Sequence, residues 1–269
     1  MVVDQYQFEF PAKRDQNAIT VEGISKFYRI PREKKTTVYE NIVALFNSKY
    51  RSYDEFWALK DVSFTVMHGE TFGIIGPNGS GKSTLLKIIA GVLFSDSGKI
   101  SINGKVAPFL ELGVGFQPEL TAKENVYLYG AIMGLTRREV TQKYDEIMEF
   151  SELKRFENLR LKNFSSGMYV RLAFSTAIQV NPDIMLVDEV LAVGDERFQG
   201  KCFDKINAFR NAGKTIILVS HDLQSIEKLC RRCLLLKDGK VTGIGETGQI
   251  IRLYHHINNT LPQDGKDIS

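Results

Sequence analysis

From about position 58 onward, short apolar runs alternate with stretches whose apolar positions recur at helical spacing. Val62–Val66 is apolar at every second position, the period of a strand with one buried face. Thr71–Ile75 is a compact apolar run that ends in a Gly-rich turn. Ser83–Ala90 follows with helical periodicity and stops at Gly91. Ile184–Val187 and Thr215–Val219 are continuous apolar runs, which predicts strands buried on both faces. An early strand is expected at Ile19–Glu22, and a helix over Leu223–Leu229 running into a strand at Leu234–Lys237. Strands and helices in alternation predict an α/β fold.

Two segments break this rhythm. Lys123–Arg171 is helical in character almost throughout, with few β-branched runs, and predicts a helical lobe inserted between strands. Pro31–Trp57 is rich in Lys, Glu, Tyr and Asn and stands as an insertion between two strands. Within it Val38, Ile42, Leu45 and Phe46 share one helix face, flanked by Lys34, Lys35, Lys49 and Arg51. That pattern suits a surface helix, packed on its own domain or lying near a membrane. The polar stretch Thr260–Ser269 is expected to be disordered, and there is no internal repeat.

Composition narrows the class. The chain has 269 residues, 43% of them hydrophobic, enough for one large globular unit or one core with a smaller lobe. A net charge of +3 without long single-sign blocks gives no reason to expect a nucleic-acid partner. No apolar run approaches the roughly 18 residues that span a bilayer, and Met1–Phe10 lacks the apolar core of a secretory leader. Cytosolic residence is the resulting expectation. Cys230 and Cys233 form a C-x-x-C, but a zinc site needs a second pair, so both are expected to be ordinary small residues.

Candidate chemistry concentrates at strand ends. Gly76-Pro-Asn-Gly-Ser-Gly81-Lys82-Ser83 matches G-x-x-x-x-G-K-[ST] without deviation, between an apolar strand and a helix. Its glycines let backbone N–H groups turn inward around phosphate oxygens. Lys82 brings a charge to the β- and γ-phosphates, and the Ser83 hydroxyl is a Mg²⁺ ligand. Ile184–Val187 runs straight into Asp188 and Glu189, placing two carboxylates at the C-terminal end of a buried strand. Asp188 is expected to hold Mg²⁺, and Glu189 to take a proton from, or position, the attacking water. His221 follows another apolar run and is placed to donate a hydrogen bond to the γ-phosphate.

Phe164-Ser165-Ser166-Gly167-Met168 lies between the first two of these segments, and the four together resemble the ABC ATPase family in order. The resemblance covers about residues 17–250. It implies a P-loop NTPase core, an antiparallel β-subdomain and an inserted α-helical subdomain near residues 118–175. The ATP-binding domain would then span 1–250, with the insertion at 31–57 and a C-terminal tail at 251–269. It also implies that ATP is contacted by Gly76, Asn78, Gly79, Ser80, Gly81, Lys82, Ser83 and Thr84, with Tyr28 stacked on adenine. Phe27, Phe56 and Trp57 are alternatives to Tyr28, and base–aromatic stacking is worth about 1–3 kcal/mol. Gln117 is the expected Mg²⁺-sensing residue, with Glu111 as the alternative.

In this family two copies face head to tail, so Ser165, Ser166 and Gly167 of one complete the Lys82 loop of the other, with Asp195 crossing the interface. The signature usually reads Leu-Ser-Gly-Gly-Gln; here Phe164, Ser166 and Met168 depart from it. Single-cassette length and retention of Glu189 and His221 favour a hydrolysing transporter subunit over a soluble regulator or scaffold. The segments at 111–121, 165–168 and 187–195 resemble exporters of lipid-linked polysaccharides: O-antigen, capsule and teichoic acid. An exporter of another lipid or drug is the alternative. The expected setting is the cytoplasmic face of the membrane, beside a separate permease, and no C-terminal sugar-binding domain is expected.

Overall fold

The computed structural model describes residues 16–31, 53–109, 112–188 and 195–259. The expected helix at 38–46, the tail at 260–269, Glu111 and Glu189 lie outside them.

The centre is a six-stranded sheet in the order β5-β6-β7-β3-β8-β9, with β3 at Thr71–Ile75, β5 at Val106–Phe109, β6 at Ile184–Asp188 and β7 at Thr215–Val219. β8 (Arg232–Lys237) completes five parallel strands, and β9 (Lys240–Glu246) closes antiparallel on it as a hairpin. β3 and β7 are buried at every residue, and β6 at all but Asp188. Strands buried on both faces need apolar side chains at even and odd positions alike, hence the continuous runs.

Alternation along these strands divides the interior into two cores. Phe72, Ile74, Ile217, Val219, Leu234 and Leu236 face one side. There they meet Leu85, Leu86, Ile88 and Ile89 of α1 (Lys82–Ile89) and a second, antiparallel sheet. Ile75, Ile216, Leu218, Met185, Val187 and Leu235 face the other side. They pack there against α5 (Glu196–Asn211), α6 (Leu223–Leu229) and α7 (Thr247–Asn259). Cys230 and Cys233 sit in this second core as free thiols, raised by burial to about 12 and about 11. They are packing residues.

The antiparallel sheet is β2-β1-β4, formed by β1 (Asn17–Pro31), β2 (Tyr53–Met67) and β4 (Ser97–Ile102). Val62, Phe64 and Val66 point inward, as their alternation predicts. β1 and β2 are far longer than the expected strands at Ile19–Glu22 and Val62–Val66. Register pairs Pro31 with Tyr53, Tyr28 with Phe56 and Phe27 with Trp57. Tyr53–Trp57, expected within the insertion, is therefore strand, because those aromatic residues pair across the ladder.

The helical lobe consists of α2 (Ala122–Ile132), α3 (Arg137–Ser151) and α4 (Ser166–Ala177), packed on one another. Thr121 with Glu124 and Thr136 with Glu139 form capping boxes that start α2 and α3. At the other end of the chain, the expected boundary at 250 falls inside α7. Ile250 is buried, and Ile251, Leu253, Tyr254 and Ile257 pack on the same core, so this apolar face continues the domain.

The lobe joins the sheet through a turn anchored by one buried amide. Asn125 is wholly buried; its Oδ1 accepts from the Gln117 N–H at 2.7 Å. Its Nδ2 donates to the carbonyls of Gln117, Leu120 and Thr121 at 3.0, 3.2 and 2.9 Å. Replacing it strips partners from several buried backbone groups at once. Asn125→Ala is expected to cost about 2–4 kcal/mol of stability, read from urea unfolding. A change below about 0.5 kcal/mol would show that water replaces the amide.

Candidate functional site

Parallel pairing sets the site. Ile74 of β3 pairs with Val219 of β7, Val219 with Asp188 of β6, and Val187 with Phe109 of β5. Neighbouring strands lie about 4.8 Å apart. Four C-terminal ends therefore come side by side: the Gly76 loop, Ser220–His221, Asp188, and the segment leading to Gln117. Asp188 is partly exposed at the end of an otherwise buried strand, and His221 is exposed. Asp222 fixes the chain just beyond His221: its carboxylate accepts from the Ser225 hydroxyl and, at 3.0 Å, from the Gln224 N–H. The Ser225 bond, first among those contacts, holds that carboxyl below its usual range.

The loop after β3 is built for an anion. Gly76 has φ 153°, and a Cβ there would lie 2.1 Å from the Leu236 carbonyl oxygen. Gly81 has φ 104°, and its Cβ would lie 2.4 Å from the Ala58 oxygen. Only glycine fits either position, so the chain can wrap tightly and present its N–H groups. Asn78 and Gly79 form the exposed outer turn. Gly81 is also the N-cap of α1, and no side chain caps that helix end; Ser83 and Thr84 lie in its first turn. An open helix N-terminus beside a glycine cradle favours phosphate.

Lys82 is buried and folds back onto the loop, donating to the Gly76 and Pro77 carbonyls at 2.8 and 2.9 Å. Ser80 Oγ is buried without a hydrogen-bond partner among the described residues. A buried amine held against the loop carbonyls and an orphaned hydroxyl both suit a polyphosphate.

Ser165, Ser166 and Gly167 lie in the helical lobe, not on the sheet edge. Ser165 is the N-cap of α4, and its Oγ accepts from the Met168 N–H at 3.2 Å. With Met168, Val170, Arg171 and Asp195 they line one shallow surface depression. Asp195 caps α5 by accepting from the Phe198 N–H at 2.8 Å. Gln117 is exposed in the turn that Asn125 holds. Tyr28 is exposed on β1, with the Lys26 ammonium 5.7 Å from its ring centre.

Three further residues escape a reading of motifs. Arg171, mostly buried, donates to the Ser151 carbonyl at 3.0 Å and to Glu152 at 2.6 Å, and lies 3.5 Å from Asp195. Lys201 also donates to Glu152. Lys201 and Arg171 together hold the Glu152 carboxyl down at about 2. Tyr169 donates its hydroxyl to the Gly113 carbonyl at 2.8 Å. Arg171 and Tyr169 stand within six residues of Ser165, and that proximity is their sole sequence signal.

Comparison with known proteins agrees with this geometry. The ABC transporter family model matches residues 59–192. The O-antigen export system ATP-binding protein RfbB of Klebsiella pneumoniae is 46% identical over 200 residues, 74% of this chain and 81% of that protein. The teichoic acids export ATP-binding protein TagH of Listeria innocua is 39% identical over 251 residues, 92% of this chain and 73% of that one. The dimeric post-hydrolysis state of the ATP-binding cassette MJ0796, bound to ADP and Pi, superposes with a TM-score of 0.66 at 25% identity. The match covers 85% of this chain and 98% of that one. With a phosphate cradle, a carboxylate-tipped strand and a capped signature helix in family order, this chain belongs to the ABC transporter family as an ATP-binding, ATP-hydrolysing cassette.

Proposed function

We propose that the chain drives export of a lipid-linked polysaccharide (O-antigen, capsule or teichoic acid) across the cytoplasmic membrane, working as a homodimer on a separate permease. For the chemistry, the supporting observation is the register that brings the Gly76 loop, Asp188 and His221 to one sheet edge. For the cargo, it is similarity to O-antigen and teichoic acid export ATPases over most of the chain. Among the described residues no helix is long and apolar enough to cross a membrane, and in this reading the permease supplies the passage.

In this reading Tyr28 stacks on adenine, and the loop from Gly76 to Gly81, with Asn78, Gly79 and Ser80, wraps the phosphates. Lys82 leaves the Gly76 and Pro77 carbonyls for the β- and γ-phosphates, and Thr84 adds a contact from the first turn of α1. Ser83, Gln117 and Asp188 are the oxygen donors that would hold Mg²⁺, which when bound would neutralise phosphate charge. Glu189 takes the proton of the attacking water, and His221 holds the γ-phosphate. Ser165, Ser166, Gly167 and Asp195 act on the nucleotide of the facing copy, because the lobe presents them on a surface apart from their own phosphate loop. The ATP-filled dimer closes, hydrolysis opens it, and the permease at the cytoplasmic face converts that cycle into transport.

Three outcomes follow. Glu189→Gln should bind ATP normally but turn over about 10²–10⁴ times more slowly, whereas Lys82→Ala should lose nucleotide affinity itself. Phosphate release at native speed by the first variant would remove Glu189 from the chemistry. Lys82→Ala and Ser165→Arg chains should each be inactive alone, yet regain one intact site when mixed. Proven heterodimers that stay inactive would exclude independently working shared sites. Deleting the gene should leave lipid-linked polymer inside the cell and strip it from the surface while synthesis continues, with no rescue by Glu189→Gln. Unchanged surface glycan with altered drug or lipid traffic would reassign the cargo.

A further inference from the structure

The segment that carries Gln117 is fastened to the helical lobe at successive residues. Gly113 has φ 82° and lies so close to Tyr169 that a Cβ there would fall 2.5 Å from the ring. The Tyr169 hydroxyl donates to the Gly113 carbonyl at 2.8 Å. The Gly113 backbone also faces the buried phenol of Tyr129 and offsets part of the rise that burial gives it. Two residues on, a Cβ on Gly115 would fall 2.4 Å from the Ile132 side chain. Phe116 is buried edge-on between Tyr129 and Tyr169, both at 5.0 Å between ring centres. Gln117 itself is held by Asn125.

Of these anchors, Tyr129, Ile132 and Asn125 belong to α2, and only Tyr169 belongs to α4. Tyr169 stands one turn beyond Ser165, its N–H bonded to the Ser165 carbonyl at 3.0 Å. Two residues further along, Arg171 reaches the other way, to Glu152 and Asp195. Positions two apart on a helix point to nearly opposite sides. α4 thus lies between the Gln117 segment and the N-cap of α5, and Tyr169 is its grip on the former.

We propose that Tyr169 is a positioning residue: it makes the Gln117 segment and the Ser165 end of α4 move as one body, so that nucleotide felt at Gln117 sets the angle at which Ser165 meets the facing copy. This rests on the reading of the chain as an ATPase that closes as a dimer. Without the hydroxyl the ring still fills its place, but the tie to Gly113 is lost, and α4 must be ordered at the moment of closure. Ordering then opposes dimerisation while leaving nucleotide binding by the single chain alone.

The test uses Glu189→Gln as parent, with ATP-dependent dimerisation followed by sedimentation and ATP affinity measured at protein concentrations too low for dimers. Adding Tyr169→Phe should hold the ATP Kd within about twofold while weakening dimerisation about tenfold, the scale of one net hydrogen bond in each of two copies. In the otherwise native chain the KM for ATP should hold while kcat falls. Tyr127→Phe, which removes a hydroxyl contact to Thr141 elsewhere in the lobe, should change neither quantity. Unchanged dimerisation in the Tyr169→Phe variant overturns the proposal, as does an equal loss in Tyr127→Phe or a parallel loss of ATP affinity. A parent that does not dimerise with ATP overturns the functional reading itself, and the proposal with it.

Discussion

The parallel pairing of β6, β7 and β3 is the constraint from which the remaining geometry follows. The hydrogen-bond ladder holds Ile74, Val219 and Asp188 in line across three strands. Parallel strands place all their C-terminal ends at one edge, so the ladder itself brings a phosphate loop, a histidine and a carboxylate together there. Burial then makes the register hard to shift. A slip of one residue would exchange the two faces of each strand, driving Phe72 and Ile74 out of one core and Ile75 out of the other.

The same burial explains what could be read from the residues. β3, β6 and β7 are legible as apolar runs because both their faces are covered, and the phosphate loop is legible because glycine and lysine have few substitutes there. β4 and β9 carry no such mark. Their residues are partly or wholly exposed, and Gly98, Lys99, Gly243 and Gly245 dilute any alternation. β5 hides behind Pro108 in a four-residue strand. α5 buries only Phe198, Cys202 and Ile206, a stripe too narrow to stand out in a polar sequence. Asn125 reaches Gln117 8 positions away, Arg171 reaches Ser151 20 away and Tyr169 reaches Gly113 56 away, so no local pattern reports these ties.

The departures from the usual family signature also have physical reasons. Phe164, where leucine is usual, packs against the core from which α4 begins, and Met168, where glutamine is usual, packs on the same cluster. Ser166 replaces a glycine without strain, because it starts a right-handed helix and is not among the described residues with positive φ. Ser165 is kept, and it has work within its own chain: its oxygen accepts from the Met168 N–H and caps α4. A hydroxyl that accepts one bond retains its proton to donate in another direction. In the proposed dimer, the residue that starts the helix is therefore also the one that would meet a facing phosphate.

That double use bears on why, in the proposed reading, the site is divided between copies. Within one chain, Lys82 is satisfied by the Gly76 and Pro77 carbonyls, and Asp195 by the Phe198 N–H and Arg171. Each catalytic element thus has an internal partner before any nucleotide arrives, and the single chain has little to gain from closing on itself. In the proposed reading nucleotide adds charged partners for Lys82, since a phosphate oxygen carries charge where the Gly76 and Pro77 carbonyls do not. The exchange occurs at the sheet edge, whereas Ser165 stands in the lobe, so something must carry the change between them. Gln117 is a proposed contact of the chain's own nucleotide, and its backbone is bound to the lobe through Asn125. The path from phosphate to signature helix therefore runs along the segment from Gly113 to Gln117, which makes the stiffness of that short stretch a determinant of how tightly hydrolysis is tied to closure.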